Sequence, residues 1–425
     1  MNVKLTTAEK VQAGLGRRRR KEFLFRLTGM LATAVGVVFL AVFFATLIGK
    51  GSSAFKQTFI LLDIELSEEV IAPDGELDLA YADFDSLVRT ALRKEVSAVS
   101  GRSERRELNR LVSIGAGYQV RDLVSQSPEL LGSTQSLWVP AAANIDMLVK
   151  GNIDASLDES LRSLSDRQIR WAEELRSAGR LKTKFNSALF SNGDSREPEL
   201  AGIKGAMMGS FFMLFVTILL SFPIGVAAAI YLEEFAPRSR LADLVEVNIN
   251  NLAAVPSIVF GLLGLAVFIN WMSLPRSAPL VGGLVLTLLT LPVIIIASRA
   301  AIKAVPPSIR EAALGVGASQ MQVVFHHVLP LAMPGMLTGA IIGMSRALGE
   351  SAPLLMIGMI AFVVDVPGGF TDPATALPVQ IYLWADSPER AFAERTSAAI
   401  IVLLVFLLLM NLAAVLIRRR MERKW

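Results

Sequence analysis

Six long apolar runs, separated by charged segments, constrain the fold of this chain more than any other feature. Each run has roughly 20 residues or more, the length that a helix needs to cross a bilayer. The chain of 425 residues is 53% hydrophobic and only 19% charged, which excludes an ordinary soluble protein. The runs are 23–48, 205–232, 247–272, 280–302, 331–363 and 397–417. The sequence therefore predicts a mainly α-helical membrane protein with six transmembrane helices.

Basic residues gather at the same side of these runs. Five of them, Arg17 to Lys21, precede the first run within the arm 1–22, and Arg418 to Arg420 follow the last run in the tail 418–425. Such clusters also bind nucleic acid, but beside an apolar run they are typical of the cytoplasmic side of a membrane helix. We therefore expect a multi-pass protein of the bacterial cytoplasmic membrane, in contact with lipid and not with nucleic acid. Both termini are expected to be cytoplasmic.

One long polar segment, residues 49–204, interrupts the apolar pattern and is expected on the outer side. It carries 20 Lys and Arg against 24 Asp and Glu, a net charge of −4, whereas the rest of the chain carries +8. Alternation from Ile60 to Leu66 predicts a strand, and Phe84 to Val96 an amphipathic helix. Ser165 and Gln168 form a capping-box pattern. These signals predict a small α+β domain, without disulfides because the chain has no cysteine.

The loop 303–330 between the fourth and fifth runs is too structured for a simple connection. Glu311, Ala312 and Ala313 favour a helix, and Gly317 with Ala318 can end it. Beyond that turn the apolar residues recur at helical spacing, which predicts one apolar face on a second helix. Those residues are Met321, Val324, Phe325 and Val328. An apolar face on a cytoplasmic loop indicates a protein partner. The adjacent His326 and His327 would point about 100° apart on a helix and make a poor metal pair.

The fifth run carries charges at a depth where charges are costly. Arg346 and Glu350 stand four residues apart, so one helix face would hold both, with Ser351 beside them. This pair is either a structural ion pair or part of an anion path. The arginine fork suits two oxygens of phosphate, and Glu350 could accept a hydrogen bond from a phosphate hydroxyl, which sulfate lacks.

Four stretches together resemble one family, the phosphate-specific (Pst) ABC importer permeases of the PstA type, within the MetI-like permease superfamily. The loop resembles the family's EAA loop through Glu311, Ala312, Ala313, Gly317, Leu329 and Pro330, with His327 replacing the usual aliphatic residue. The others are Ala229–Glu234, Pro256–Gly261 and Arg346–Pro353, in which Ser351 stands where threonine is common. The likeness covers 205–417, about half of the chain, and not the segment 49–204.

The resemblance implies a five-helix permease core after an N-terminal anchor helix, with the α+β domain inserted between them. It implies a second homologous permease, a dimer of ATPase subunits and an extracytoplasmic phosphate-binding protein as partners, with inorganic phosphate as substrate. The 303–330 loop would be the coupling helix, so Glu311, Ala312, Ala313, Gly317, Ala318 and Phe325 are the expected ATPase contacts. Arg346, Glu350 and Ser351 are the expected lining of the substrate path.

This chain is not expected to be an enzyme or to bind a cofactor or metal. It lacks the G-x-x-x-x-G-K-[ST] phosphate loop, so ATP and magnesium would belong to the partner ATPase. Three alternatives stay open. The chain could be a permease for another oxyanion such as sulfate or molybdate. It could be a membrane sensor or scaffold with 49–204 as its receptor part. A membrane-embedded enzyme is the third, although no nucleophile or metal cluster accompanies Arg346 and Glu350.

Overall fold

The computed structural model describes residues 7–73, 77–96, 99, 101–237 and 239–421, so the ends of the predicted arm and tail lie outside it. Its first element is helix α1, Thr7–Gly51. With 45 residues α1 is roughly 68 Å long, well beyond the ~30 Å of a bilayer core. The helix therefore continues past the apolar run 23–48 into the basic arm.

The segment between α1 and α9, residues 52–203, is called here the inserted domain. Its core is a three-stranded antiparallel sheet of β1 (Lys56–Glu65), β2 (Thr134–Pro140) and β3 (Leu181–Phe185), in the order β2-β1-β3. Leu61 lies opposite Trp138, and Phe59 lies opposite Lys182. Ile60, Leu62 and Ile64 of β1 are fully buried, as the alternation predicted, and β1 packs against α3 (Phe84–Glu95). The elements are β1 (Lys56–Glu65), α2 (Glu68–Ile71), α3 (Phe84–Glu95), α4 (Arg102–Asn109), α5 (Gly115–Gln126), β2 (Thr134–Pro140), α6 (Ala143–Val149), α7 (Asp166–Ser177), β3 (Leu181–Phe185) and α8 (Ala188–Ser191).

Helix α7 begins where the sequence predicted. The Ser165 hydroxyl accepts from the Gln168 backbone N–H at 3.3 Å, and the Gln168 side chain accepts from the Ser165 N–H at 3.1 Å. This reciprocal capping box satisfies two of the N–H groups that a helix start leaves unpaired.

The rest of the described chain is mainly helical, and the membrane-spanning elements are among its helices. In chain order these are α9 (Lys204–Ile230), α10 (Arg240–Ala253), α11 (Ser257–Gly264), α12 (Pro279–Lys303), α13 (Pro307–Gly315), α14 (Gln320–Gln322), α15 (Leu329–Gly349), α16 (Ala352–Met356), α17 (Leu377–Ala385) and α18 (Ala391–Met421). Three π-helical segments, Tyr231–Phe235, Leu265–Trp271 and Val323–Val328, extend α9, α11 and α14. Helix α12 packs on both α9 and α15.

Five helices within the described residues are long and apolar enough to cross a membrane, and six if a bent pair counts as one. The bent pair is α10 with α11 and its extension, which meet at 100°. The third apolar run, 247–272, is therefore two helices, in line with the broken or kinked helix that Pro256, Ser257 and Gly261 predict. The break lies at Val255 and Pro256, where proline removes a backbone N–H and disfavours helix at the preceding residue.

The fifth run, expected as one span over 331–363, is also broken. Helix α15 ends at Gly349, and α16 begins a separate short helix at Ala352. Pro353 explains this end, because a proline ring inside the helix would clash with the carbonyl of residue 349. The polar segment 364–396, between the fifth and sixth apolar runs, holds α17 and the start of α18.

Backbone groups in the irregular segment after α16 are paired by side-chain hydroxyls. Ser277 donates to the Gly358 carbonyl at 2.5 Å, and Thr375 donates to the Met359 carbonyl at 2.7 Å. The Ser210 hydroxyl on α9 accepts from the Leu377 N–H at 2.8 Å. Irregular backbone is tolerated at membrane depth only where protein satisfies it in this way.

Helices α11 and α16 touch at a glycine. A Cβ on Gly261 would lie 2.7 Å from both the Cα and the carbonyl oxygen of Pro353. Since backbone atoms cannot turn aside as a flexible side chain does, only glycine fits there.

We expect Gly261→Ala to push α11 and α16 apart and to cost about 1–3 kcal/mol of stability, the usual effect of overpacking. The measurement is the thermal midpoint of the purified protein in detergent. Gly36→Ala is the matched control, because a Cβ at Gly36 meets nothing within 4 Å. Equal midpoints for the two variants would contradict the tight fit.

Glu199, in the last residues of the inserted domain before α9, carries a buried carboxyl group. Its Oε2 atom has no hydrogen-bond partner among the described residues, although Ser113 contacts the carboxyl group. Burial raises the pKa of Glu199 above that of an exposed glutamate; the Ser113 hydrogen bond and the charge of Arg395 oppose the rise, and Glu197 adds to it. The folded protein therefore holds a proton here at pH values where the unfolded chain has lost it.

Because of that retained proton, stability should fall as pH rises through the raised pKa. Glu199→Gln removes the titration, so its thermal midpoint should change less than that of the wild type between mildly acidic and mildly alkaline buffers. Glu173→Gln, which removes an exposed carboxylate of α7, is the control. The same pH slope in wild type and Glu199→Gln would show that this carboxyl is ionised throughout.

Candidate functional site

The 303–330 loop folds as a helix, a glycine turn and a second helix, as its sequence predicted. Helix α13 ends in a Schellman motif, in which the Gly317 N–H donates to the Leu314 carbonyl at 2.9 Å and the Ala318 N–H to the Ala313 carbonyl at 3.1 Å. Gly317 has φ +89°, a conformation that costs glycine little. Ser319 then starts α14 with a capping box to Gln322, and the pair stands three residues apart in the sequence, as this motif requires.

The apolar residues of the loop do not form the single face that was expected. Val324 and Val328 are buried with Val323 and Ala313 against the ends of α9 and α12. Met321 and Phe325, by contrast, are about half exposed. The π-helical segment Val323–Val328 explains the difference, because its wider turn rotates side chains out of the register of an α-helix.

The loop therefore presents an exposed surface that includes several large apolar side chains. Four large apolar side chains lie there, Leu314, Val316, Met321 and Phe325, and Val316 is 86% exposed. Glu311, Ala312, Gly317, His326 and His327 are exposed as well, whereas Ala313 is buried and Ala318 half-buried. Of the predicted ATPase contacts, Ala313 thus has a packing role and Phe325 is available at the surface.

An ion pair and two hydrogen bonds attach this loop to the ends of α9 and α12. Arg310 of α13 donates to Glu234 Oε1 at 2.7 Å and to the Ile302 and Val305 carbonyls at 3.0 and 2.7 Å. It thereby caps the C-terminal end of α12 and ties α13 to the end of α9. No local sequence pattern encodes this role, since Arg310 and Glu234 are 76 residues apart.

A second arginine joins three helices at the same end of the bundle. Arg299 of α12 donates from Nε to Glu233 at 2.5 Å and from Nη2 to Glu246 of α10 at 2.7 Å. Arginine can hold two carboxylates at once because its donors form a rigid fork. The 303–330 loop consequently follows a helix end, that of α12, which ion pairs hold to α10 and to the extension of α9.

No break separates the second helix of the loop from α15. Residues Gln320–Gly349 form one helical span of 30 residues, with Pro330 near the start of α15. Arg346 lies about 24 Å from Pro330 along the helix axis, as expected for regular helix. A displacement of the loop along this axis would therefore reach Arg346 directly.

Arg346 and Glu350 are close together, but not on one helix as expected. Arg346 is in the last turn of α15, and Glu350 lies beyond its end with extended backbone, φ −80° and ψ 125°. The Arg346 Nε and Glu350 Oε1 atoms are 3.5 Å apart. At that distance the pair attracts without a good hydrogen bond.

Arg346 retains most of its donors for another partner. Its side chain is 45% exposed and that of Glu350 20%, and Glu350 is the acid that faces it among the described residues. Ser351 is half-buried at the first position before α16, and its hydroxyl forms no hydrogen bond within the described part of the chain. The helix break thus brings together a guanidinium, a carboxylate and a hydroxyl with unused capacity.

These groups lie on a side of α15 that the described residues leave uncovered. Ile342, Arg346 and Gly349 are exposed at helical spacing, whereas Met344, Ala347 and Leu348 are buried in the bundle. Lipid alone would leave a charge on this side poorly solvated. The side accordingly fits a second protein subunit or an aqueous path.

Within the residues that the structure describes, no group of three or more His, Asp or Glu side chains is placed to hold a metal ion.

Two family models match the chain. One is described as a domain of unknown function and matches residues 12–159. The other is described as the binding-protein-dependent transport system inner membrane component and matches residues 221–423. The second match contains the 303–330 loop, the break at Glu350 and the uncovered side of α15.

Relatives and solved structures resemble the same region. The phosphate transport system permease protein PstA of Haemophilus influenzae is 32% identical over 200 residues, which are 47% of this chain and 70% of that protein. A probable ABC transporter permease protein, YqgI of Bacillus subtilis, is 37% identical over 36% of this chain; the match spans about half, 52%, of that relative. A chain of the inward-facing MetNI methionine ABC transporter aligns over 52% of this chain and 96% of its own, with 21% identity and a TM-score of 0.40.

The second family model covers the helices that carry the 303–330 loop and the Arg346–Glu350 pair. The Haemophilus influenzae relative matches over 70% of its own length. A transport component of this kind is a membrane subunit and not an enzyme. The chain belongs to the binding-protein-dependent transport system inner membrane components and is an ABC transporter permease of the PstA type.

Proposed function

We propose that this chain is a transmembrane subunit of an ATP-driven importer of inorganic phosphate. The observation that carries the proposal is the placement of Arg346, Glu350 and Ser351 at a helix break, on an uncovered side of the helix that continues into the 303–330 loop. A relative named for phosphate transport supports the choice of substrate.

In this proposal the orientation follows from charge. Basic residues at the start of the first run, in the 303–330 region and at the end of α18 put the termini and the loop in the cytoplasm. The inserted domain then lies outside the cell membrane, on the side from which an importer receives its substrate. An extracytoplasmic phosphate-binding protein would deliver phosphate there.

The 303–330 loop would contact a partner ATPase. Val316, Leu314, Met321 and Phe325 supply apolar surface, and Arg310 and Arg299 hold that surface firmly to α9 and α12. ATP binding to the partner would move the loop, and the continuous helix would carry the movement to Arg346. A second permease would cover the exposed side of α15 and complete the path.

Selection of phosphate would depend on hydrogen-bond donors. Monohydrogen phosphate offers charged oxygens to Arg346 and a hydroxyl to the Glu350 carboxylate, whereas sulfate has no hydroxyl and would be repelled by that carboxylate. A permease for sulfate or molybdate is the competing possibility, and transport competition distinguishes the two.

We expect Arg346→Ala to lower phosphate uptake by about tenfold to a hundredfold, the usual loss when a charged hydrogen-bonding partner is removed. Arg346→Lys keeps the charge but loses the two-oxygen geometry and should lie between. The measurement is uptake of radioactive phosphate by proteoliposomes containing the assembled complex. Wild-type rates in both variants, with normal assembly, would exclude Arg346 from the path.

Glu350→Gln should change selectivity more than rate. The amide no longer repels a fully ionised dianion and can donate to it, so sulfate should compete with phosphate in this variant and not in the wild type. Competition by sulfate in the wild type would instead favour a general oxyanion permease.

Val316→Asp should abolish ATP-driven uptake by weakening ATPase attachment, because it puts a charge into an apolar contact. Co-purification of the ATPase with the permease measures this directly. Val316→Ile keeps the apolar surface and serves as the control. Undiminished co-purification with Val316→Asp would show that this part of the loop is not the contact.

A further inference from the structure

The outer end of α18 is attached to the inserted domain by a buried group of charges. Both carboxylate oxygens of Glu394 are held, one by Lys150 Nζ at 2.7 Å and the other by Asn152 Nδ2 at 2.9 Å. Lys150 also pairs with Asp146 Oδ2 at 2.6 Å. The side chains of Lys150, Asp146 and Glu394 are only 5%, 8% and 9% exposed.

This attachment extends into the sheet of the domain. The other oxygen of Asp146, Oδ1, accepts from the Thr58 backbone N–H of β1 at 2.8 Å. Next to Glu394, Arg395 is buried and interacts electrostatically with Asp146, Glu394 and Glu199. Buried pairs of this kind fix geometry, because a member left without its partner is strongly destabilising.

The same helix is attached to α15 at two points further along. Ser345, the neighbour of Arg346, donates its hydroxyl to Asn411 Oδ1 at 2.8 Å. Arg418 donates from Nη1 to the Thr338 hydroxyl at 3.1 Å. Hydrogen bonds between membrane helices are directional, so these two fix how far α15 can slide or turn against α18.

Helix α18 is unbroken between these points. It runs from Ala391 to Met421, and Glu394 and Asn411 are 17 positions apart, about 26 Å along the axis. A rigid helix that is fixed at both ends passes a displacement of one end to the other.

We propose that α18 transmits the position of the inserted domain to Arg346, with Glu394 and Asn411 as its positioning residues. A protein that docks on the domain would then adjust the substrate path from outside, while the 303–330 loop acts on the same helix α15 from inside. This inference rests on the proposed function, since it assigns to the domain a role in controlling the same path.

The test uses the complete reconstituted complex, with binding protein and phosphate added to stimulate the ATPase. Glu394→Gln and Asn411→Ala should each reduce the stimulation at least fivefold, and Asn411→Ala should also raise the KM for phosphate. Glu389→Gln, an exposed acid before α18, and Leu412→Ala, an exposed neighbour of Asn411, are the matched controls. The controls should keep wild-type stimulation.

The double variant separates transmission from general damage. If both residues act through one helix, Glu394→Gln combined with Asn411→Ala should be no worse than the more impaired single variant. Multiplied losses in the double variant would overturn the proposal, as would wild-type stimulation in either single variant.

A covalent link in place of the Lys150–Glu394 ion pair shows whether a loss of stimulation comes from the lost contact or from a folding defect. The chain has no native cysteine, so Lys150→Cys with Glu394→Cys can be joined by a thiol-specific linker of matching length. Linking should restore the lost stimulation, and failure to restore it in an assembled complex would count against the proposal. If the wild-type complex transports no phosphate at all, the proposed function fails; if only the variants match their controls, this inference fails alone.

Discussion

The membrane-embedded part of this protein depends on satisfying backbone hydrogen bonds where a helix stops inside an apolar region. A helix end leaves N–H and C=O groups unpaired, and lipid offers no partner for them. Here the hydroxyls of Ser277 and Thr375 take up two carbonyls of the irregular segment after α16, and Ser210 takes up the first N–H of α17. The close contact of Gly261 with Pro353 packs α11 against α16, directly after the break at which Glu350 leaves the helix and faces Arg346.

Two long helices converge on that supported break from opposite ends of the bundle. Helix α15 continues from the loop that Arg310 holds to α9 and α12. Helix α18 begins in the buried charges around Glu394 and reaches the neighbour of Arg346 through Asn411. Both are continuous over their length, so the site lies where two stiff elements meet. In the proposed mechanism, this arrangement would make the position of the Arg346 guanidinium depend on both ends of the molecule.

The features that sequence predicted are those encoded by neighbouring residues. Gly317 marked the turn, Ser165 and Gln168 marked the start of α7, and alternation marked β1, because each signal lies within a few positions of its effect. The prediction of one continuous helix over 331–363 was wrong because hydropathy reports burial and not backbone continuity. Gly349 and Pro353 in that run are the local residues that indicate the break. The prediction that Met321 and Phe325 share one apolar face with Val324 and Val328 was wrong because a π-helical turn changes the periodicity on which that prediction was based. The contact of Lys150 with Glu394 joins residues 244 positions apart, and no local pattern encodes such a pair.

The two ends of the inserted domain lie close together. Asn186 donates to the Ala54 carbonyl at 2.9 Å, and Gln57 donates to the Glu199 carbonyl at 2.8 Å, so the chain leaves the domain beside the point where it began. A segment with adjoining ends can be gained or lost in one genetic event without changing the spacing of α1 and α9. The domain is in that sense exchangeable, and Glu394 would be one of the positions at which the permease must adapt to whichever module it carries, beside the apolar contacts of Trp384 and Phe392.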